Sequence, residues 1–293
     1  MDRKYNYPKE GELVVPMTND YLFKALLQEN EHVLKGLLCS LLHMSDDDIV
    51  STKITNSIVL GEAFTEKTFM LDVRISLNNN KIINLEMQVI NYNNWPERSM
   101  AYLCREFSKT KKGSLYEDMP PVHQIGILNF TLFKNYPTFY STYMMQELNN
   151  HNIYSDKFAL SVLDLTQIDK ATAEDKSYKL DHWARLFSAK TWEDLNMLAK
   201  DNPLMAEATN TILTLTEDEL IREACYRREE QLAIEAQMKH KIAEQEIALA
   251  QKDKAIAQKD AEIIRITSEK DAEIASNLAR IRELERLLKE NKR

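Results

Sequence analysis

Residues 69–89, FMLDVRISLNNNKIINLEMQV, contain two runs of alternating side chains on either side of three asparagines. Apolar residues occupy the odd-numbered positions in both runs, and polar residues occupy most of the even-numbered ones. Alternation with a period of two is typical of strands, and asparagine tolerates the left-handed backbone of tight turns. The stretch therefore predicts a β-hairpin that turns at Asn78-Asn79-Asn80.

The register of this hairpin follows from the same pattern. Directly opposed residues of an antiparallel pair point to the same face of the sheet. Since the apolar residues of both strands have odd numbers, the numbers of two opposed residues must add up to an even value, which requires a loop of odd length. The three asparagines give a sum of 158, which places Val73 opposite Leu85 and Ile75 opposite Ile83. One step further along, Asp72 is predicted to lie opposite Glu86, with Gln88 next on the same face.

Two carboxylates placed opposite each other repel, at a cost of a few tenths to about 1 kcal/mol. A divalent cation between Asp72 and Glu86 would remove this repulsion, and such oxygen ligands suit Mg²⁺ or Mn²⁺. A metal held there lowers the pKa of a bound water and stabilises charge on a phosphate oxygen. Alternatively, Arg74 or Lys81 neutralises the pair on an ordinary polar sheet face.

A predicted helix at about 96–112 follows the hairpin, with Pro96 in its first turn, where a missing N–H is harmless. One side of this helix is basic, within an arc of about 80°, and consists of Arg98, Tyr102, Arg105, Lys109 and Lys112. The opposite side is apolar and is predicted to pack on the sheet through Met100, Leu103, Cys104 and Phe107. The basic side predicts contacts with DNA phosphates; the alternative is a solvated basic face.

Composition excludes several classes of protein. A formal net charge of −8 excludes a general attraction to nucleic acid, so any DNA contact must be local. A mean hydropathy of −0.46 and the lack of an apolar run near 18 residues predict that no segment spans a membrane. The first residues do not resemble a signal peptide, and three scattered cysteines favour reduced thiols. We therefore expect a cytoplasmic protein.

The remaining pattern before residue 216 predicts an α/β or α+β core. It contains helices at about 18–44 and 178–215 and strands at about 53–60, 68–77, 81–90, 125–132 and 158–165. Trp183 and Trp192 fall on the apolar side of the second helical region and are predicted to lie in the core rather than to stack on bases.

A change in composition near residue 216 predicts two domains, 1–216 and 217–293. Charged residues make up 34 of the last 77 positions but only 50 of the first 216. Ile242, Leu249, Ile256 and Ile263 are spaced by seven, as in a coiled coil, and the next apolar step is eleven residues, to Ile274. A coiled coil also needs a second row of apolar residues along the helix, and in this sequence few apolar residues occupy those positions. We predict a long charged helix that self-associates weakly, or else a single solvated helix.

Several motifs together resemble a known family. They are Thr18-NDYLFKALL, Leu71-DVRI, Asn84-LEMQV, Arg98-SMAYL and His123-QIGILNFTLF. Their combination is similar to the PD-(D/E)XK nuclease-family transposases, the Rpn-type recombination-promoting nucleases. The resemblance covers roughly residues 16–165, with a continuation to about 215, and does not include the helix from about 217. It implies a restriction-endonuclease-like core of a mixed sheet flanked by helices, and metal-dependent cleavage of DNA that promotes recombination.

The resemblance also implies roles for individual residues. Asp72 matches the motif aspartate and Glu86 the second metal-binding acid. Gln88 stands where the wider superfamily has lysine, although Rpn-type families tolerate glutamine. Since glutamine supplies no cation, it can only orient water or a phosphate oxygen. Asp20 matches a motif position on the first helix and adds a catalytic acid or caps that helix.

Two functions compete on this basis. The first is a DNA endonuclease dependent on Mg²⁺ or Mn²⁺, with Asp72, Glu86, Gln88 and Asp20 as catalytic candidates. The second is a weak or inactive nuclease-fold protein that binds DNA or other partners and assembles through its coiled-coil tail. A nucleophilic hydrolase has little support, because the six histidines are scattered and no GxSxG motif occurs. Zinc-ligand spacings are also missing from the sequence.

Overall fold

The structure is a computed structural model that describes residues 8–58, 73–78, 80–109, 113 and 115–290, without the side chains at 201 and 288–290. The predicted hairpin is present in it. β2 (Val73–Leu77) and β3 (Lys81–Gln88) are antiparallel, with Val73 opposite Leu85 and Ile75 opposite Ile83. The predicted register is therefore confirmed over these strands. Residues 68–72 and Asn79 lie outside the described residues.

The turn uses asparagine for both its backbone and its side chain. Asn78 has a φ of 50°, in the left-handed region that asparagine tolerates. Its Oδ1 accepts hydrogen bonds from the backbone N–H groups of Val50 (2.8 Å) and Ser51 (3.2 Å). Its amide nitrogen donates to the carbonyl of Asp48 at 2.8 Å. Asn78 thus ties the hairpin to the segment that enters the sheet.

The sheet is mixed, as the restriction-endonuclease-like fold class requires. Its six strands have the order β1-β2-β3-β4-β6-β5. The β3–β4 and β4–β6 pairs are parallel, and the β1–β2, β2–β3 and β5–β6 pairs are antiparallel. The remaining strands are β1 (Thr52–Ile54), β4 (Val122–Leu128), β5 (Tyr140–Met144) and β6 (Phe158–Asp164).

Eight α-helices are present in the described residues. They are α1 (Asp20–Glu29), α2 (Glu31–Leu42), α3 (Trp95–Phe107), α4 (Ala173–Ser177), α5 (Leu180–Ser188), α6 (Trp192–Asp201), α7 (Pro203–Glu217) and α8 (Glu219–Glu290). None of the described helices combines the length and apolar character needed to span a membrane.

Several predicted elements differ from the observed ones. The helix predicted at 18–44 is two helices, because Asn30 ends α1 and its side chain accepts from the N–H of Val33 to begin α2. The region 178–215 is likewise divided, with Thr191 capping α6 and Asn202 capping α7. β1 ends at Ile54, short of the predicted strand end at 60. The edge strand β5 was not predicted, since its half-exposed side chains show no apolar alternation.

The core lies on the sheet face formed by the odd-numbered residues of β2, β3 and β4. Helices α1, α2, α5 and α7 contribute to the same cluster of buried side chains. Trp183 is 1% exposed and Trp192 is 6% exposed, so both are core residues as predicted.

The chain divides into two compact units, the first ending at Leu232 and the second beginning at Ala233. The predicted boundary at residue 216 stays a prediction, although Ile221, Ala224 and Cys225 of α8 belong to the buried core of the first unit. The second unit is helical, and its seam residues Ile242, Leu249, Ile256 and Ile263 are 56–60% exposed.

Candidate active site

The even-numbered residues of β3 form a buried polar row beneath α3. Asn84, Glu86 and Gln88 are 2%, 5% and 8% exposed. The amide of Asn84 donates to Gln124 Oε1 on the neighbouring strand β4 at 2.7 Å. Alternation alone predicts a polar face of this kind to be solvated. Its burial matters, because a carboxylate removed from water must be paired or hydrogen-bonded.

A close contact between Trp95 and Gly126 fixes α3 over this row. Gly126 lies opposite Glu86 in the parallel register of β3 and β4. The indole of Trp95, 2% exposed, lies directly over Gly126, where a Cβ would be 2.1 Å from Trp95 Cζ2. The missing side chain of Gly126 is therefore what allows α3 to begin next to Glu86.

Arg98, one turn into α3, binds Glu86 and Gln88, the two candidate site residues of β3. Its Nη2 donates to Glu86 Oε1, and its Nη1 donates to Gln88 Oε1 at 3.0 Å. The Gln88 amide nitrogen donates to the carbonyl of Ile90 at 2.8 Å, which turns Oε1 towards Arg98. The Glu86 side chain is 7% exposed and that of Arg98 is 32% exposed. The buried acid is thus paired with a cation at the edge of solvent.

The predicted pairing of Asp72 with Glu86 stays a prediction, because Asp72 lies outside the described residues. The alternative partners occupy other positions. Arg74 donates from Nε to Glu106 Oε2 at 2.8 Å and from Nη1 to Thr55. Lys81 lies at the opposite end of β3, where burial lowers the pKa of its amine against the attraction of Asp156. The described cation at Glu86 is Arg98 instead.

The basic side of α3 is shorter than predicted. The helix ends at Phe107, and the C-cap residue Ser108 donates its N–H to the Cys104 carbonyl. Lys109 therefore follows the helix, and it forms an ion pair with Glu106. Burial opposes the charge of Glu106, but hydrogen bonds from Lys109 and Arg74 outweigh it and lower the pKa of the carboxyl. Lys112 lies outside the described residues.

Arg105 and Tyr102 remain on the accessible side of α3. Arg105 is exposed, with its guanidinium 5.6 Å from the centre of the Tyr102 ring, and that of Arg98 is 5.4 Å from the same ring. The buried side of α3 consists of Trp95, Ser99 and Leu103. The predicted packing of Met100 and Cys104 is wrong, since both side chains are exposed. The contact of Trp95 with the sheet turns the side of α3 that carries them away from it.

Asp20 is the first residue of α1, but it does not cap the helix. The cap is Asn19, whose Oδ1 accepts from the N–H groups of Tyr21 and Leu22, each at 3.1 Å. Arg228 of α8 binds the Asp20 carboxylate, with its Nε 2.9 Å from both oxygens and its Nη2 2.6 Å from Oδ2. The Asn19 amide donates to the Cys225 carbonyl at 3.0 Å. Asp20 thus anchors α8, and its predicted catalytic role is untested.

Sequence reasoning missed three features of this region. Arg98 was assigned to DNA alone, Arg228 was counted with a solvated charged helix, and Lys24, one turn after Asp20, is only 1% exposed. Helical periodicity places Asp20 and Lys24 on the same side of α1, but it does not predict that either side chain is buried. The one clue to the contact between Glu86 and Arg98 was their position in the sequence. Glu86 lies near the end of a strand, and Arg98 lies in the first turn of the helix that follows.

The described part of the site suits a cation. No group of three or more His, Cys, Asp or Glu side chains among the described residues is placed to hold a metal. Glu86, however, is a buried carboxylate that already holds one positive group, the guanidinium of Arg98. Together with Asp72, it would supply the oxygen ligands that Mg²⁺ or Mn²⁺ prefers.

Comparison with known families decides the classification. A family model described as PD-(D/E)XK nuclease family transposase matches residues 17–245. The chain belongs to this family. Neither a curated protein nor a solved structure matches it.

The match to the PD-(D/E)XK family model covers more of the chain than the sequence resemblance did. The match ends at residue 245, so it includes the first part of α8, which the resemblance left out. Within the first unit, the Asp20–Arg228 and Asn19–Cys225 contacts hold the start of α8 against α1. The mixed sheet flanked by helices agrees with the restriction-endonuclease-like fold of the family.

Proposed function

We propose that the chain is a divalent-metal-dependent DNA endonuclease that promotes recombination or acts on mobile DNA. The observation that carries the proposal is Glu86, a buried acid held beside Gln88 and Arg98 at the end of β3. A buried carboxylate with a cationic neighbour at the end of a strand is a candidate for a functional site. The family match supports a nuclease.

In this proposal Glu86 and Asp72 hold one Mg²⁺ or Mn²⁺ ion. The sequence predicts Asp72 opposite Glu86, and the described pairs Val73–Leu85 and Ile75–Ile83 follow the register on which that prediction rests. An ion held there would lower the pKa of a bound water and would stabilise charge on the phosphate. The protein would contribute the two acids, of which Glu86 is 5% exposed and so largely shielded from bulk water.

The DNA backbone is proposed to lie along the exposed side of α3. Arg105 and Tyr102 are accessible there, and Lys109 follows the helix end. Phosphate contacts of this kind position a duplex without selecting a sequence. Because the salt dependence of DNA binding scales with the number of phosphates neutralised, we expect these few cations to give binding with a shallow salt dependence.

Plasmid nicking tests the proposal. Purified protein is incubated with supercoiled plasmid in Mg²⁺, in Mn²⁺ and in excess chelator. Nicking is expected only with metal and is expected to be lost in Asp72→Ala. The matched control is Glu97→Gln, which alters an exposed acid in the first turn of α3 and should cleave like the wild type. Equal nicking by wild type and Asp72→Ala would contradict the assigned mechanism.

A second candidate is a catalytically inactive nuclease-fold protein that binds DNA or a protein partner. The observation in its favour is that Gln88 is neutral and that both ends of its amide are already hydrogen-bonded. Such a protein would shift plasmid in a gel without cutting it under any metal condition. Deletion of residues 233–293 would separate its assembly from its fold, because that deletion retains Arg228 and its contact with Asp20.

The second unit is proposed to form a homo-oligomer through its helical seam. The seam consists of Ile242, Leu249, Ile256 and Ile263, all exposed on α8. Apolar side chains repeating every seven residues are stabilised when a second helix covers them.

A further inference from the structure

The guanidinium of Arg98 is held in a fixed position by two residues of the strand below it. It donates to Gln88 Oε1 at 3.0 Å and to Glu86 Oε1. A guanidinium stays charged at every physiological pH and presents its donors in a rigid plane. The arrangement therefore places a permanent positive charge beside the proposed metal-binding acid.

Gln88 is oriented to hold this charge rather than to bind water. Its amide nitrogen donates to the Ile90 carbonyl at 2.8 Å, so its oxygen must point towards Arg98. A side chain with both ends engaged, and only 8% exposed, has little freedom to orient a nucleophile. The contact instead fixes the Arg98 rotamer.

Two other cations near α3 are engaged elsewhere, whereas Arg105 is exposed on the helix. Arg74 and Lys109 both form ion pairs with Glu106. The side chain of Arg98 is 32% exposed while that of Glu86 is 7% exposed, so Arg98 lies between the buried acid and solvent. An anion approaching Glu86 and its metal would therefore meet Arg98.

We propose that Arg98 is a catalytic residue of the nuclease site, binding a non-bridging oxygen of the scissile phosphate, and that Gln88 is its positioning residue. This inference rests on the proposed function. In the reaction, a water oxygen forms a bond to phosphorus and one P–O ester bond breaks. The water loses a proton to solvent, and the leaving oxygen gains one. Arg98 exchanges no proton and stabilises the negative charge that builds on the phosphate oxygens.

Because Arg98 pairs with Glu86, a catalytic role and a structural role of Arg98 predict different effects on metal affinity. Arg98 and a metal ion compete for the same carboxylate. Loss of the guanidinium should therefore leave metal affinity equal or tighter, while cleavage slows. A residue that only supported the fold would lower metal affinity, cleavage and thermal stability together.

The experiment compares full-length wild type, Arg98→Ala, Arg98→Lys and Arg98→Ala combined with Gln88→Lys. Arg185→Ala is the matched control, since Arg185 is exposed on α5, away from α3. Single-turnover plasmid cleavage is measured in Mg²⁺, and binding of Mn²⁺ without DNA is measured by electron paramagnetic resonance. Melting temperatures are recorded for each variant.

Arg98→Ala is expected to cleave roughly 100-fold more slowly, as for loss of one preorganised donor, with Mn²⁺ binding undiminished. Lysine at position 88, which adjoins Arg98, should recover at least about 10-fold of that loss by restoring a cation. If Arg98→Ala does not fold, Arg98→Lys carries the test, and its rate should still fall because an ammonium lacks the rigid planar pair of donors that reaches Glu86 and Gln88 together.

Cleavage by the Arg98 variants within two-fold of wild type would overturn the inference but leave the proposed function intact. Joint loss of Mn²⁺ binding and thermal stability would assign Arg98 a structural role and also overturn it. Wild type that binds Mn²⁺ but never cleaves would overturn the proposed function itself.

Discussion

The guanidinium of Arg228 contacts both carboxylate oxygens of Asp20, with its Nε 2.9 Å from each and its Nη2 2.6 Å from Oδ2. The two residues are 9% and 7% exposed and are separated by 208 positions in the chain. Their pairing fixes the start of α8 on the first turn of α1. Breaking a buried pair of this kind leaves an unpaired charge and costs about 3–5 kcal/mol.

Arg228→Ala is therefore expected to lower the free energy of unfolding by about 3–5 kcal/mol. Arg227→Ala is the control, because Arg227 is half exposed and pairs with Glu223 one turn away. That exposed pair is worth about 0.5 kcal/mol or less. Denaturant unfolding of both variants measures the difference, and equal effects would show that the Asp20 contact adds nothing.

Cysteine labelling reports on the same contact. Cys225 is fully buried, and burial, with added repulsion from Glu229 and Asp20, raises the pKa of its thiol to about 12. It should resist alkylation while the exposed Cys104 reacts, which gives an internal reference. In Arg228→Ala, labelling of Cys225 should accelerate relative to Cys104. An unchanged ratio would mean that α8 remains in place without Arg228.

Gly126→Ala is expected to displace Trp95 and with it the start of α3. The added Cβ would lie 2.1 Å from Trp95 Cζ2, far inside contact distance. Overpacking of this kind costs about 1–3 kcal/mol. Tryptophan fluorescence and denaturant unfolding measure the effect. The smaller ring of Trp95→Phe should recover part of the stability lost in Gly126→Ala; if the two substitutions are simply additive, the contact is not the cause.

The free energy of unfolding is expected to fall below neutral pH because of His123. Burial, with a smaller effect from Lys81, lowers the pKa of its imidazole to about 3. The unfolded chain takes up the proton near pH 6.5, so protonation favours unfolding as pH falls from 6.5 towards 3. The loss between pH 7 and pH 5 is about 2 kcal/mol from this residue.

His123→Gln should remove that part of the pH dependence, although it also lowers stability at pH 7 by disturbing the bond to Ser161. His240→Gln, which changes a 75% exposed side chain, should keep the wild-type slope. Urea unfolding at several pH values gives all three slopes. A wild-type slope in His123→Gln would contradict the assignment.

The tail is expected to make the chain self-associate in a concentration-dependent manner. Replacement of Ile256 and Ile263 together by aspartate should weaken assembly by at least about 100-fold, since each isoleucine buried in a seam contributes about 1.5–3 kcal/mol. Ile264→Asp is the control, because Ile264 is 68% exposed but lies off the seven-residue spacing. Sedimentation velocity measures the distribution. A monomer at every concentration would favour the single solvated helix.

The hairpin could be predicted from sequence because its determinants are local. Two alternating runs and an odd turn fix the pairing of Val73 with Leu85 without reference to the rest of the chain. The core positions of Trp183 and Trp192 could be predicted in the same way, from the local helical pattern. Asn30 was harder, because an asparagine within a helical pattern carries no sign that it will end one helix and cap the next.

The environment of the site could not be predicted, because it depends on contacts between distant residues. Helical periodicity placed Leu103 correctly but not Met100 or Cys104, since the rotation of α3 is set by Trp95 against Gly126. The pairing of Arg228 with Asp20 also lacks a local signal, as both stand among other charged or capping residues. Long-range packing thus decides which charges of this chain are buried.

The central claim is that Glu86 acts as a charged metal ligand in DNA cleavage, and the single-turnover rate of Glu86→Gln in Mg²⁺ tests it most directly. Glutamine keeps the volume of the side chain and an oxygen that accepts from Arg98, but it removes the negative charge. A metal supplies several kcal/mol to the reaction, and each 1.4 kcal/mol is a factor of ten in rate. We expect a loss of at least about 100-fold with an unchanged fold. Cleavage at the wild-type rate would contradict the account.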